Sequence, residues 1–285
     1  MTQQLPSFSV WVDGVGILGP GLDNWAQAQA VLQGQAAYVQ APTVLPVPTI
    51  LPPAERRRAS RVIKVALAVG LEAAQAAGQD PAQLPNVFAS SGGDGHNCHS
   101  LCELLGSDDR QVSPTRFHNS VHNAASGYWA IATGATPPAQ VLGGYDASFA
   151  VGLFEAMVQV QTLNTPVLLV VIDSEYPQPL HAKRPIADTS GLALVLSPTK
   201  SERSLAQLVL DAKAYLADGN AVVQLQPGLE GLSAMSEQLP PWRGVPLLAA
   251  LADVEAGDSP VAVRLPWLPG QVLQLTVQKD QIHAQ

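Results

Sequence analysis

Charge is scarce in this sequence. Only 13% of its 285 residues are Asp, Glu, Lys or Arg, about half of the ~25% usual in soluble domains. A surface so poor in charge suits burial against another subunit, and it suits equally a large alanine-rich core. The charge that is present leans acidic, with 23 Asp and Glu against 15 Lys and Arg and a net −8. That balance speaks against nucleic acid or an anionic membrane as partner. No apolar run approaches the ~20 residues that span a bilayer. The opening MTQQLPSFSVW has neither the basic start nor the apolar core of a signal peptide, so a cytoplasmic location is expected. Two cysteines, Cys98 and Cys102, make no disulfide framework. With 47% hydrophobic residues, a chain of this length can still bury a substantial core, as one large domain or two small ones.

The most informative stretch runs from Ser113 to Ala156, SPTRFHNSVHNAASGYWAIATGATPPAQVLGGYDASFAVGLFEA. Apolar residues recur at helical spacing from Val121 through Trp129 to Ala132, and Gly134 ends the pattern. Pro137 and Pro138 forbid its continuation. Gln140–Gly144 reads as a short strand, with Gly143-Gly144 as a sharp turn. Asp146 then stands at the expected N-cap of a helix that buries Phe149, Leu153, Phe154 and Met157. A strand feeding a tight turn that heads a helix is where many α/β enzymes place a nucleophile. Free N–H groups at the helix start lower the pKa of a thiol or carboxyl held there. Here the position holds an aspartate, which is not a competent thioester-forming nucleophile.

Elsewhere the chain alternates strands and helices. Phe8–Leu18 (FSVWVDGVGIL) reads as a buried strand, and Leu22–Gln33 as a helix with Trp25 and Leu32 inward and Gly34 as its stop. GVGILGPG lacks both the G-x-G-x-x-G spacing and the Lys-Ser/Thr of a phosphate loop. Ala41–Pro53 carries five prolines and should be an extended connector. From Ala54 to Gly78 the periodicity predicts one amphipathic helix, with Ile63, Leu67, Gly70 and Ala74 on one face. Asn86–Ser91, Thr165–Ile172, Gly191–Ser197 and Leu205–Leu210 read as strands of a mainly parallel sheet. Pro246–Ala252 suggests a short helix, and Val261–Leu265 with Val272–Val277 a strand pair.

Two clusters could carry other chemistry. His96, Cys98, His99 and Cys102 crowd into seven residues, but their spacing fits no common zinc pattern. Cys98 and Cys102 are better placed as small apolar residues on the buried stripe of a helix. His118 and His122, also four apart, could bind a metal or serve as a base, and a structural or interface role is preferred. No cofactor and no metal are expected.

SPTRFHNSVHNAASGYWAIATG resembles the segment that precedes the active-site cysteine in β-ketoacyl-ACP synthases, and GGYDASFAVGLFEA resembles the elbow and helix that carry it. Aligned without gaps, Asp146 falls on the cysteine and Asn123 on the family's asparagine. The run as a whole is closer still to chain-length-factor-like subunits of aryl polyene biosynthesis. The resemblance implies a layered, thiolase-like α/β fold with a complete N-terminal half, residues 1–198, and a shortened C-terminal remnant, residues 199–285, that closes the sheet. It also implies that GVG is a turn after the first strand.

The resemblance extends to what is missing. Full ketosynthases carry two catalytic histidines and a G-F-G-G turn in their second half, whereas from Lys200 onward this chain has one histidine, His283, and no such turn. Chain-length factors of aromatic polyketide systems place glutamine where this chain has Asp146. What the resemblance implies is a catalytically silent subunit that pairs with a complete ketosynthase to elongate chains on an acyl carrier protein, with a homodimer possible when it is alone. Phe117, Asn123, Tyr128, Trp129, Tyr145 and Phe149 are its candidate tunnel or interface residues. Arg56, Arg57, Arg58 and Arg61 are candidate contacts to the acidic carrier. The alternatives are a free-standing thioester hydrolase using Asp146 with His118 or His122, and a metal-binding module at His96–Cys102.

Overall fold

The computed structural model describes residues 8–108, 111–210, 216–219, 225–253 and 259–279. In chain order these form β1 (Phe8–Leu18), α1 (Trp25–Leu32), α2 (Pro53–Arg58), α3 (Arg61–Ala76), β2 (Asn86–Ala89), α4 (Gly95–Gly106), α5 (Pro114–Asn119) and α6 (Ala124–Thr133). There follow β3 (Ala139–Leu142), α7 (Ser148–Leu163), β4 (Val167–Asp173), β5 (Ser190–Ser197), β6 (Ala206–Leu210) and β7 (Leu216–Asp218). The last elements are α8 (Glu230–Glu237), α9 (Val245–Ala252), β8 (Val261–Pro266) and β9 (Gln271–Gln278).

Among the described residues the strands join one sheet in the order β3-β2-β4-β5-β1-β6-β9-β7, with β8 on β9. Only β2–β3 and β2–β4 are parallel; the remaining pairs are antiparallel. The expected mainly parallel sheet is thus corrected. Parallel pairing is confined to strands joined through helical crossovers, while β4–β5 and β8–β9 join through connections with no α-helix between them. The segment beyond residue 198 adds β6, β7, β8 and β9 to the same sheet.

The two faces of the sheet are read directly from side-chain alternation. Val167, Leu169 and Val171 of β4 share one core cluster with α7, α8 and α9. Leu168, Val170 and Ile172 share the other with α3 and α6. In β1 the first cluster takes Val10 and Val12 and then Val15 and Ile17, a switch of parity. A register shift between Val12 and Gly14 produces it: the extra residue, Asp13, re-aims everything after it. Asp13 is buried and accepts from Ser197 Oγ and Ser204 Oγ, each at 2.6 Å.

Gly14 and Gly16 correct the expected turn. Both lie inside β1, where a Cβ would come within 2.1 Å of the Ala73 carbonyl and 2.0 Å of the Val69 carbonyl. They let α3 seat its backbone on the strand. The helix predicted over 54–78 is also two helices. Ala59 is extended and turned into the core, and Ser60 begins α3. Cys98 and Cys102, expected on a buried stripe, are exposed, because α4 buries only Gly95 and Asn97.

Candidate functional site: the β3–α7 elbow

β3 carries the chain to Leu142, Gly143 and Gly144 turn it, and a 3-10 turn over Tyr145–Ala147 leads into α7. Tyr145 has φ +54°, a left-handed value that a bulky residue adopts only when its surroundings impose it. Ser148 does much of the imposing: its hydroxyl donates to the Tyr145 carbonyl at 2.7 Å and accepts from the Gly144 N–H at 3.2 Å. Gly144 has no room for a side chain, since a Cβ would lie 2.9 Å from Val151 Cγ2. Beneath the elbow α7 buries Phe149, Leu153 and Met157 completely, and Phe149 packs on the backbone of Gly244.

Asp146 does not cap α7. The N-cap is Ala147, with no side-chain hydrogen bond. The aspartate instead points at two guanidinium groups, with Oδ1 2.6 Å from Arg184 Nη1 and Oδ2 3.4 Å from Arg243 Nη2. Arg184 also lies 3.8 Å over the Tyr145 ring, so one cation holds both the strained residue and its neighbour. Arg243 donates in addition to the Glu237 carbonyl at 3.2 Å. Both carboxylate oxygens therefore face cations. Arg184 comes from the loop between β4 and β5 and Arg243 from a 3-10 turn over Pro240–Gly244, and no local spacing announces them.

Behind the elbow lies Asp173, at the end of β4 and 1% exposed. It accepts from Ser90 Oγ at 3.0 Å, from the Ser91 N–H at 3.0 Å and from Ser91 Oγ at 2.9 Å. Burial pushes its carboxyl up to about 6, against the opposing pull of those hydrogen bonds and of Arg184. Tyr176 fills the space over Gly92 and Gly95, and burial raises its phenol as well.

Four of the histidines are engaged apart from Asp146. His118, on α5, meets the Tyr128 ring edge-to-face at 5.8 Å. His122 places Nε2 3.3 Å from the Ser90 carbonyl and stands beside Gly143. His96 pairs with Glu175 at 3.4 Å and His99 with Glu103 at 3.2 Å. No cluster of three or more His, Cys, Asp or Glu that could hold a metal occurs among the described residues. His283 lies outside them.

The aromatic candidates separate cleanly. Tyr128, Trp129 and Phe149 are buried, with Trp129 against Gly70 and edge-to-face with Phe88 at 6.4 Å. Phe117 and Tyr145 are exposed at 66% and 61%, and Asn123 is exposed at the start of α6. The basic cluster separates too. Arg56 donates to the Thr49 and Leu51 carbonyls, and Arg61 pairs with Glu175 and Asp188. Arg58 pairs with Glu55, three residues earlier on α2, and Arg57 is exposed.

Comparison with known proteins places this geometry. No functionally curated protein matches the sequence. Many solved structures share the fold, among them the following three. One is a ketosynthase (ApeO) in complex with its chain length factor (ApeC) from Xenorhabdus doucetiae, at 20% identity and TM-score 0.67, over 95% of this chain and 99% of that one. The second is the ishigamide ketosynthase/chain length factor, at 15% and 0.69, over 96% and 100%. The third is AntDE:AntF, a type II PKS acyl-carrier protein in complex with its ketosynthase bound to the hexaketide, at 10% and 0.71, over 96% and 99%. The family model described as "Beta-ketoacyl synthase, N-terminal domain" matches residues 23–237. With its thiolase-like layered α/β architecture, the chain belongs to the β-ketoacyl synthase N-terminal domain family.

Proposed function

We propose that this chain is a chain-length-factor-type subunit: it performs no condensation itself and completes a heterodimer with a cysteine-bearing ketosynthase. The observation that carries the proposal is the elbow, where the family's nucleophile position holds Asp146 and both carboxylate oxygens face arginines. Condensation needs a thiolate to take the acyl chain and donors to stabilise the developing oxyanion. An arginine-paired carboxylate supplies neither.

The sheet supports a place for the partner. β3 is its outermost strand on one side, and it pairs only with β2 among the described residues. The carbonyls of Pro138 and Leu142 accept from β2 and from the residue following it. In a parallel strand the N–H and C=O of alternate residues point the same way, so Ala139 and Val141 present theirs to the open edge. Such an edge invites a second strand. Phe117 and Val121 are exposed large apolar residues that would flank the junction. The elongated chain in this reading is carrier-bound and polyenoyl, of the aryl polyene class. Arg57 and Arg58 are the carrier contacts, since Arg56 and Arg61 are committed within the chain. In this reading the exposed Phe117, Asn123 and Tyr145 sit at the subunit junction.

Intact-mass analysis after incubation with labelled acyl carrier protein tests the silent elbow. The expected spectrum shows no adduct on this chain and one on the ketosynthase. An acyl adduct on Asp146 would overturn the proposal.

A further inference from the structure

Beside α3, where the end of β1 and the proline-rich connector meet it, lies a cleft that plays no part in the elbow. It has a volume of about 640 Å³ and runs between α3 and the proline-rich connector, a size typical of small-molecule sites. Its floor is the outer face of α3, with Lys64, Ala68, Leu71 and Gln75 in line, and its roof is the strap Val44–Ile50. From Lys64 to Gln75 the helix rises about 16 Å, so the slot is long and narrow.

The strap is fixed at both ends. The Thr43 N–H donates to Asp188 and its hydroxyl donates to the Thr189 carbonyl, while Arg56 holds the Thr49 and Leu51 carbonyls. Leu51 is buried, and Pro46 and Pro48 stiffen the span between. The roof is therefore preformed, and a guest does not have to order it. Val44 and Val47 nonetheless remain 74% and 68% exposed, so apolar surface at the cleft mouth is left uncovered.

Its charges are asymmetric. Lys64 forms no ion pair among the described residues. Glu72, two turns along α3, is already satisfied by the backbone N–H groups of Ile17 and Trp25 at 3.0 and 2.6 Å. The other carboxylate on the lining, Asp23, lies two residues before Trp25 and so toward the Glu72 end, which leaves Lys64 at its own end of the slot without an ion pair among the described residues, with Ala68 and Leu71 following it. We propose that this cleft binds a single-chain amphiphile with an anionic head, a medium-chain carboxylate, its head at Lys64 and its tail along Ala68 and Leu71 beneath the strap.

The probe is dodecanoate, titrated calorimetrically into the isolated chain, with dodecyltrimethylammonium as the control of opposite charge. Because no ketosynthase is present, the outcome is independent of the heterodimer reading. Dodecanoate should bind at one site, and Lys64→Glu should weaken it about tenfold or more. Ala68→Trp should fill the slot and abolish binding while the melting temperature confirms the fold. Lys64→Glu lies on the helix surface and keeps the question open to refutation if Ala68→Trp does not fold. No dodecanoate binding by the wild type, equal binding of the cationic amphiphile, or wild-type affinity in Lys64→Glu would each overturn the proposal.

Discussion

Arg184 Nη1 lies 2.6 Å from Asp146 Oδ1, and the same guanidinium covers the ring of Tyr145 at 3.8 Å. A single side chain from the loop after β4 thereby locks the turn that heads α7. The consequence is testable. Arg184→Ala should leave Asp146 with Arg243 at 3.4 Å and release the strained Tyr145 backbone. A partly exposed ion pair is worth ~1 kcal/mol or less, and the lost ring contact about as much again. Denaturant unfolding should register a loss on the order of 1–2 kcal/mol.

Installing the missing nucleophile should not create a synthase. Asp146→Cys restores a thiol near a helix start, but no second-half histidine motif stands ready to stabilise the enolate. Isolated Asp146→Cys protein should form no carbon–carbon bond with malonyl carrier protein, as read by mass spectrometry of the carrier. Condensation by that variant alone would mean the oxyanion donors come from elsewhere in the chain.

Asp173 makes stability depend on pH. Its folded carboxyl stands at about 6 against an ordinary value of 3.8, so the folded state holds the proton more tightly than the unfolded one. That contribution is fully present below about pH 4 and is lost as pH rises through about 6. The shift corresponds to ~3 kcal/mol as an upper bound. Relative to Asp173→Asn, the wild type should therefore lose stability between pH 4 and pH 6 and change little beyond. Parallel curves for the two proteins across that range would contradict the assignment.

Gly16 should tolerate no side chain. A Cβ there meets the Val69 carbonyl at 2.0 Å, a backbone atom that cannot move aside. Gly16→Val should cost at least about 3 kcal/mol or prevent folding, because overpacking here separates α3 from the sheet. A circular-dichroism melt within a few degrees of wild type would contradict the close approach.

The sequence made most of the architecture legible and little of the elbow's chemistry. Strands such as Val167–Asp173 announce themselves because burial on both faces demands an unbroken apolar run, and all seven residues are buried. β8 and β9 were visible for the related reason that alternation around Pro266–Gly270 leaves few other foldings. The glycines of GVG misled, because a glycine that admits a neighbouring helix and one that makes a turn are the same letter. Asp146 was singled out by position, yet its role as cap was wrong. The deciding partners, Arg184 and Arg243, lie 38 and 97 residues downstream, where no helical or strand period connects them to it. Asp173 closes the strand Val167–Asp173, and burial there raises its carboxyl against the lowering pull of the hydrogen bonds from Ser90 and Ser91.

The open edge of β3 carries the central claim, and parity chooses the probe. Leu142 is bonded to the chain's own sheet, so Leu142→Pro would damage β2–β3 pairing along with any partner. The backbone N–H and C=O of Val141 face outward, so Val141→Pro removes an N–H offered to a second strand and keeps the bonds to β2, at the cost of trimming a side chain that packs on the core. Sedimentation velocity at micromolar concentration, with this chain mixed with a cysteine-bearing ketosynthase, gives the direct measurement. The account predicts one heterodimer species for wild type and separated monomers, or the ketosynthase alone with itself, for Val141→Pro of unchanged melting temperature. A wild-type chain that stays monomeric beside every such ketosynthase would contradict it.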